Sequence, residues 1–391
     1  MSKLIKASEF CDTIFDGTHE TPKKNDKGYP LVTSTNIINN YLDLESTYNI
    51  SEKDYFLINK RSKVSKWDIL FSMIGSVGET LLEKNDNISY AIKNIGVFSC
   101  KDEYKAKWLF YYLNTKIIQK HIKNNLDGAV QKFLPLESLR NFPILDYDIK
   151  YKNIIDLLSK IDEQISFNIN LNKEITNNIS IFFNYWFRQF EFPNQNNKPY
   201  KSNGGDFIWN DEFRVNIPKE WKFETIENIL KKNTKSQKIQ QTYYSDTGKI
   251  PIIDQGLKFI NGYTNDQKYL IKVNEPQIIF GDHTRSLKYV TFDYARGADG
   301  TKIMISKDKS MPQSLLFSNL QDIDLSGYGY ARHYKYLVGK PILIPSLRIS
   351  KMFDDIVSKK LILFNLNIIE NEKLLNLRNW LANLMIEKKI N

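Results

Sequence analysis

The 391-residue sequence is poor in the residues that build covalent or metal-based sites. Its two cysteines, Cys11 and Cys100, show no CxxC or Cys/His spacing, which excludes a disulfide scaffold and a recognisable zinc site. The four histidines are too scattered in sequence to propose a metal site: His19, His121, His283 and His333. No run approaches the ~18 to 20 apolar residues of a membrane span, and the start MSKLIKASEF lacks the apolar core of a signal peptide. These features predict a cytoplasmic protein without membrane contact.

The signatures of common enzymes are also missing. The patterns GxxxxGK[ST], GxGxxG, HExxH and GxSxG do not occur, and neither do the Pro-Pro and Pro-Cys dipeptides expected at DNA methyltransferase sites. E-x-K pairs of a nuclease-like kind occur at Glu103 with Lys105 and at Glu220 with Lys222, but neither of these follows a convincing acidic strand. The sequence therefore favours a binding protein without catalytic residues. A nuclease with an unrecognised acidic site is the enzymatic alternative.

Positive charge is present in a modest excess. Lys plus Arg number 55 against 45 Asp plus Glu, a net charge of +10. Residues 1–150 carry +2, residues 151–190 are neutral, residues 191–346 carry +5 and residues 347–391 carry +3. A basic surplus on two globular segments is compatible with contacts to DNA phosphates, and equally with charge that serves solubility.

The chain repeats itself weakly. Three pairs of segments match: GYPLVTSTNI (28–37) with GKIPIIDQGL (248–257), DILFSMIGSVGE (68–79) with QIIFGDHTRSL (277–287), and QKFLPLESLRNFPI (131–144) with RHYKYLVGKPILIP (332–345). DLLSK (156–160) then recurs as DIVSK (355–359). Such self-similarity predicts an internal duplication in which each copy is a globular unit followed by a long helix. The predicted boundaries are 1–149 for the first unit, 150–190 for its helix, 191–213 for a linker, 214–346 for the second unit and 347–391 for its helix.

Both predicted helices carry a heptad stripe. In the first, positions spaced alternately by four and three residues run from Ile154 to Trp186, and in the second from Phe353 to Met385, where Lys360 and Arg378 interrupt the apolar pattern. Asparagines occupy the middle of both stripes, namely Asn168, Asn172, Asn367 and Asn371. A polar residue at a core position specifies register, so these asparagines predict antiparallel pairing, centre to centre.

This pairing gives an α+β protein with two globular domains in a pseudo-twofold arrangement, bridged by two long antiparallel coiled-coil helices. A 40-residue helix is ~60 Å long. It could hold two DNA-reading units about one helical turn, ~34 to 36 Å, apart. Two other interpretations remain open: ordinary core helices of an α+β protein, and a coiled-coil scaffold with no role in nucleic-acid binding.

The motifs and their order resemble a known family. DGTHETPKKNDKGYPLVTSTNI, SKWDILFSMIGSVGE and YAIKNIGVF in the first unit, with IPIIDQGLKFINGYT, IIFGDHTR and GADGTKI in the second, are similar to the specificity subunit of type I restriction-modification enzymes. The resemblance implies that each globular unit is a target-recognition domain that reads one half of a split, asymmetric sequence in double-stranded DNA. It also implies helices that set the gap between the halves and dock two methyltransferase subunits. Two restriction subunits complete the cleaving enzyme, and S-adenosylmethionine, ATP and Mg are expected on those partners.

Arginine is the scarce cation in this chain, with nine against 46 lysines. Its guanidinium pairs bidentately with guanine, whereas lysine mostly supplies charge to phosphate. In the second unit the candidate DNA contacts are His283, Thr284, Arg285, Lys302, Tyr330, Arg332, His333, Tyr334, Lys335 and Gln255, whose amide can pair with adenine. A Tyr-rich segment is also typical of an ordinary sheet face.

The first unit has few arginines, so its readout must rest on amides, hydroxyls and lysines. The candidates are Thr18, His19, Thr33, Ser34, Asn36, Ser72, Ser76, Lys93, Gln131 and Lys132. For the two serines the alternative is hydrogen bonding within a loop, and for Lys93, like Lys302, it is a solvated strand edge.

Overall fold

The computed structural model describes residues 4–38, 40–124, 126, 133–232, 236–297, 299–329 and 332–390. The chain forms two compact units. Unit 1 comprises Met1–Ile165 with Lys373–Asn391, and unit 2 comprises Ser166–Glu372. Each unit contains sheets, short helices and a part of each long helix, so the predicted α+β class is confirmed.

Unit 1 starts with short strands and helices. In chain order they are β1 (Leu4–Lys6), α1 (Ala7–Phe10), β2 (Thr13–Asp16), β3 (Tyr29–Val32), β4 (Ile37–Ile38), β5 (Tyr41–Leu42), β6 (Tyr48–Ile50), α2 (Glu52–Ser62), β7 (Asp68–Ser72), β8 (Thr80–Leu82), β9 (Ala91–Ile92), β10 (Ile95–Ser99), α3 (Glu103–Leu113), α4 (Lys116–Asn124), α5 (Leu136–Arg140) and β11 (Pro143–Leu145).

The remaining elements begin with the first long helix, which starts in unit 1 and continues in unit 2. They are α6 (Lys152–Phe183), β12 (Phe207–Asn210), β13 (Val215–Pro218), β14 (Lys222–Thr225), α7 (Ile226–Ile229), β15 (Ile250–Ile253), β16 (Gly262–Thr264), β17 (Leu270–Ile271), β18 (Gln277–Gly281), β19 (Leu287–Val290), β20 (Tyr294–Arg296), β21 (Thr301–Met304), α8 (Gln313–Gln321), α9 (Tyr334–Val338), β22 (Pro341–Ile344) and α10 (Leu347–Ile390).

The two units share the central part of their strand topology. In unit 1, β10 and β8 flank β7 in an antiparallel sheet, while β6 and β9 flank β3, with β9 parallel to β3. In unit 2, β19 and β21 flank β18 in the same manner, and β16 and β20 flank β15, with β20 parallel to β15. The strands β1 and β11 pair as β14 and β22 do. The repeat read from the sequence is therefore a repeat of fold.

The matched residues occupy equivalent places in these strands. Phe71 is the fourth residue of β7 and Phe280 the fourth of β18, and both are buried. Both strands are buried along their whole length, as is typical of a central strand covered on two faces. Pro143 and Pro341 each begin the strand that pairs with a single neighbour, where proline removes no ladder hydrogen bond.

The two long helices run antiparallel within unit 2. Asn168 Nδ2 donates to Asn371 Oδ1 at 2.9 Å, and Asn367 Nδ2 donates to Asn172 Oδ1 at 2.8 Å. As numbers rise on α6 they fall on α10, which defines the antiparallel direction. All three of Asn168, Asn172 and Asn367 are less than a tenth exposed, so each buried amide finds a polar partner in this register.

The stripe on α10 differs from its prediction at Lys360. Phe353, Val357 and Leu361 are buried, whereas Lys360 is only half-buried. A spacing of four residues from Val357 brings Leu361 to the packed face instead of the lysine, because an α-helix turns every 3.6 residues and a strict heptad drifts around it. The apolar seam therefore continues past this point.

Arg378, the other predicted interruption, is a buried part of the packing in unit 1. Its Nη1 donates to Asp162 Oδ1 at 2.9 Å and its Nη2 to Asn40 Oδ1 at 2.9 Å. Asp162 also accepts a hydrogen bond from the Tyr111 hydroxyl at 2.8 Å. Arg378 and Asp162 are 6% and 9% exposed, so this ion pair is shielded from water. The expectation that Arg378 spoils the seam is wrong, because Asp162 on α6 neutralises the arginine's charge within the seam.

The Arg378→Met variant should lose ~3 to 5 kcal/mol of unfolding free energy, since it leaves the Asp162 carboxylate buried without its cation. Urea denaturation followed by circular dichroism measures this. Lys359→Met, which removes an exposed cation from the same helix, is the matched control and should change stability by less than ~0.5 kcal/mol. A loss for Arg378→Met as small as that of the control would contradict the assigned role of the pair.

Candidate nucleic-acid interface

Four loops of unit 2 meet at one end of its sheets. They follow β15, follow β18, connect β20 to β21 and precede α9. These loops carry Gln255, His283, Thr284, Arg285, Arg332 and His333, while Lys302 lies next to them in β21 and Tyr334 and Lys335 lie at the start of α9. The backbone joins them directly: Asp282 N–H donates to the Gly300 carbonyl at 2.8 Å, and His333 N–H donates to the Asp282 carbonyl at 2.9 Å.

Gln255 lies where the first three loops touch. Its side-chain Oε1 accepts from the His283 backbone N–H at 3.3 Å, and its backbone carbonyl accepts from the Ser286 and Thr284 hydroxyls. A Cβ atom added to Gly300 would lie 1.9 Å from Gln255 Oε1, so a side chain at position 300 would displace this amide from its place. The amide is therefore held at the centre of the cluster, and its pairing with adenine stays a prediction.

Asp282 is the polar centre of the cluster. This buried carboxylate accepts from the Tyr334 backbone N–H at 2.9 Å and lies 3.5 Å from Lys302 Nζ, which also sits over the Tyr334 ring. The pKa of the Tyr334 hydroxyl is raised by burial. His333 is 3% exposed, and its ring nitrogens lie 3.1 Å from the carbonyl oxygens of Asp282 and Gly329. In this arrangement Lys302, His333 and Tyr334 position the loops, and direct DNA contact by His333 would require its ring to leave these carbonyls.

Three cations of the cluster face solvent. Arg285, Arg332 and Lys335 are exposed, as is Thr284. Arg285 has a φ of 60°, in the left-handed region that non-glycine residues seldom occupy, and its N–H closes the loop on the Gly281 carbonyl at 2.8 Å. Local strain of this kind concentrates at functional sites. Tyr330, a further candidate, lies outside the described residues.

Unit 1 presents a second cluster at the equivalent strand ends. Thr18 pairs with Lys93 in an isolated parallel bridge, so the loop after β2 meets the connection from β9 to β10. The exposed His19 ring bonds Asn94 Oδ1 and Asp16 Oδ2, both at 2.9 Å. Lys93 Nζ donates to the Thr21 hydroxyl. These contacts bring three of the predicted residues together: Thr18, His19 and Lys93.

The loop after β3 supplies the next candidates. Asn36 is 4% exposed, and its side chain is used inside the protein: Oδ1 accepts from the Thr33 N–H at 2.8 Å, and Nδ2 donates to Ser46 Oγ at 3.0 Å. Its contact with a base stays a prediction that would require these bonds to break. Ser34 is half-exposed and lies close to Gly75 of the loop after β7.

The loop after β7 separates the two serine candidates. Ser72 is fully buried and its hydroxyl donates to the Ile74 carbonyl at 3.1 Å. This is the hydrogen bonding within a loop that the sequence left open as the alternative to DNA contact. Ser76 is exposed. Gln131 and Lys132 lie outside the described residues. The segment that follows them reaches the same loop, since Leu134 N–H donates to the Met73 carbonyl at 3.0 Å.

Two basic residues that the sequence did not single out as DNA contacts belong to these clusters. Arg61 is two-thirds exposed on α2, reaches the Gly17 carbonyl at 3.3 Å and lies 3.8 Å from Asp16. Arg61 is one of only two arginines in the predicted first unit, and this scarcity is the sequence signal that could have identified it as a candidate DNA contact. Lys288 is 3% exposed, and its Nζ donates to the Asp254 carbonyl at 2.9 Å and to the Lys258 carbonyl. Burial lowers the pKa of Lys288 to about 8.

Metal and membrane sites were also sought. Among the described residues, no group of three or more His, Cys, Asp or Glu side chains could hold a metal ion. Glu103 of the first E-x-K pair forms an ion pair with Lys107 on α3. No described helix is both long and apolar enough to cross a membrane.

Comparison with known proteins finds relatives of one kind. Residues 4–177 match the family model for the type I restriction modification DNA specificity domain. A curated relative, the type I restriction enzyme MjaIX specificity subunit of Methanocaldococcus jannaschii, is 26% identical over 241 residues, 57% of this chain and 52% of that protein. The EcoR124I/EcoR124II specificity subunit of Escherichia coli is 38% identical over 66 residues, 17% of this chain and 16% of that protein. The matches thus span about half of the first relative and less of the second. The resemblance to type I specificity subunits is confirmed.

Solved structures are similar as well. The type I restriction-modification S subunit from M. genitalium has a TM-score of 0.49 at 14% identity, over 98% of this chain and 95% of that chain. The HsdS subunit from Thermoanaerobacter tengcongensis has a TM-score of 0.32 at 12% identity, over 97% and 95% of the two chains.

Arg285→Ala and Arg332→Ala should each weaken binding to the selected DNA site by ~1 to 3 kcal/mol and relax the preference at one base pair, because a guanidinium that pairs with a base edge carries sequence information. Fluorescence anisotropy with cognate and random duplexes measures both effects. Arg214→Ala, which removes an exposed arginine outside the four loops, is the control. An equal loss on both duplexes would reassign Arg285 or Arg332 to phosphate contact.

Lys288 predicts a pH dependence of stability. Above pH ~10.5 the Lys288 amine is neutral in both the folded and the unfolded chain. Below pH ~8 it is charged in both, and burial of the charged amine then destabilises the folded state. The stability of the wild type relative to Lys288→Met should therefore rise by on the order of 2 to 3 kcal/mol between pH 8 and 10.5. Urea unfolding across this range tests it, with Lys258→Met as the exposed control. A difference that stays constant with pH would refute the lowered pKa.

Proposed function

We propose that this chain, whose residues 4–177 match the DNA specificity domain of type I restriction-modification systems, is the specificity subunit of such a system. It binds a bipartite, asymmetric sequence in double-stranded DNA, and each unit reads one half. The observation that carries this proposal is the duplicated loop cluster: equivalent loops, on equivalent strands, present polar and cationic side chains in both units.

The two clusters differ in the chemistry that they offer to DNA. Unit 2 exposes Arg285 and Arg332, whose guanidinium groups suit guanine. Unit 1 offers a histidine, hydroxyls and Lys93, with Arg61 beside them. Two copies of one scaffold with different loop side chains would read different half-sites, which accounts for an asymmetric target.

The partners follow from the same assignment. Two methyltransferase subunits would dock on the long helices and methylate adenine with S-adenosylmethionine, and two restriction subunits would add ATP- and Mg-dependent cleavage. This chain would contribute no catalytic residue. Its net charge of +10 is modest for a protein that binds DNA alone and suits one that shares DNA contacts with partners.

The deciding experiment is methylome sequencing of cells with and without the gene for this chain. Deletion should abolish adenine methylation at one split motif and leave other motifs unchanged. Complementation with Arg285→Ala should alter or weaken methylation in one half of the motif, while a substitution of Arg61 should affect the other half. An unchanged methylome in cells that express all subunits would contradict the proposal, and purified chain that cuts DNA with Mg²⁺ alone would favour the nuclease alternative.

A further inference from the structure

The turn formed by residues 254–258 in unit 2 displays an apolar side chain in the middle of the polar loop cluster. Leu257 is 85% exposed, more than any other large apolar side chain of the described residues. It stands two residues after Gln255 and next to Lys258. Exposed leucines are common on protein surfaces and carry no meaning by themselves. What sets Leu257 apart is the way in which its turn is held.

A buried ammonium group clamps both ends of this turn. Lys288 Nζ donates to the carbonyls of Asp254 and Lys258, which flank Gln255, Gly256 and Leu257. Asp254 is 8% exposed, and its Oδ1 accepts from the Gly256 N–H at 2.7 Å while its Oδ2 accepts from the Tyr244 hydroxyl at 3.0 Å. Burying a lysine costs free energy unless its hydrogen bonds are made. Here those bonds are made to the backbone of the turn, so the buried charge is used to fix the shape of the turn.

The same turn is fastened to the loop that carries Arg285. The Gln255 carbonyl accepts from Ser286 Oγ at 2.8 Å and from the Thr284 hydroxyl. A Cβ atom on Gly256 would lie 2.5 Å from Asn261 Oδ1, so the turn also closes tightly on the chain that follows it. Leu257 is thus presented from a braced backbone beside an arginine loop, and it packs into no core of the described protein.

We infer that Leu257 contacts the C5 methyl group of a thymine in the major groove, in the half-site read by unit 2. This inference rests on the proposed function. The thymine methyl is the apolar feature of base edges in the major groove, where cytosine, adenine and guanine present donors and acceptors. Leu257 supplies matching apolar surface, and the braced turn holds it in place without further ordering. It is a specificity-determining residue next to the amide of Gln255.

The test replaces thymine by deoxyuridine, which removes the methyl group and leaves the pairing edge intact. With the full complex of this chain and its methyltransferase partners, each thymine of the unit 2 half-site is replaced in turn in the cognate duplex. Wild type should lose about fourfold in affinity at one position, the value of one buried methyl group. Leu257→Ala should bind the thymine duplex more weakly by a similar factor, and should lose nothing further on deoxyuridine at that position.

Leu4→Ala is the matched control, because it makes the same change at a 59% exposed leucine of β1, which lies on none of the loops and on neither long helix. It should keep the deoxyuridine effect. Leu257→Ala that weakens thymine and deoxyuridine duplexes equally, while the wild-type methyl effect persists, would overturn the inference in favour of a different contact. A target without any deoxyuridine-sensitive position in that half-site would overturn it as well. A complex that selects no DNA sequence would fail the proposed function itself.

Discussion

The pairing of polar groups inside the two long helices is the constraint on which the rest of the molecule depends. Asn168 meets Asn371 and Asn172 meets Asn367 in unit 2, while Asp162 meets Arg378 in unit 1. Each of these groups would be buried without a partner if one helix slid by a turn along the other. An apolar seam alone would tolerate several registers. The buried amides and the ion pair select one, and with it the sections of helix that each globular unit receives.

The duplicated fold and the pairing of the long helices can largely be predicted from the sequence, because internal repeats and heptad periodicity are visible in the sequence itself. The matched residues occupy equivalent strand positions because the two copies pack in the same way. Examples are the pair Phe71 and Phe280 and the pair Pro143 and Pro341. The heptad gave the antiparallel direction through its asparagines. The heptad pattern was wrong at Arg378, because the burial of this arginine depends on Asp162, which lies 216 residues away in the sequence. It was also wrong at Lys360, because the packed face of the helix drifts from the strict heptad positions and Leu361 is buried instead.

The loop clusters show where such inference ends. The sequence indicated the loops that bear Arg285 and Arg332 from their arginines, histidines and tyrosines. It could not separate residues that face solvent from those that tie the loops together, since His333, Asn36 and Ser72 have the same chemistry as a DNA contact yet are bound internally. Nor did any local pattern mark Lys288, whose role comes from two carbonyls 30 and 34 residues earlier in the chain.

The shared helices also bear on how the chain is made. Ala382 and Met385 belong to the core of unit 1, and Asn383 Oδ1 accepts from the Lys116 N–H at the start of α4. On the ribosome, the residues of unit 1 up to Ile165 emerge long before this last segment. At ~5 to 20 residues per second, synthesis of the intervening unit takes roughly 10 to 40 seconds. During that interval the first core lacks its final helix and exposes an apolar face, which is the kind of surface that promotes aggregation of incompletely folded chains.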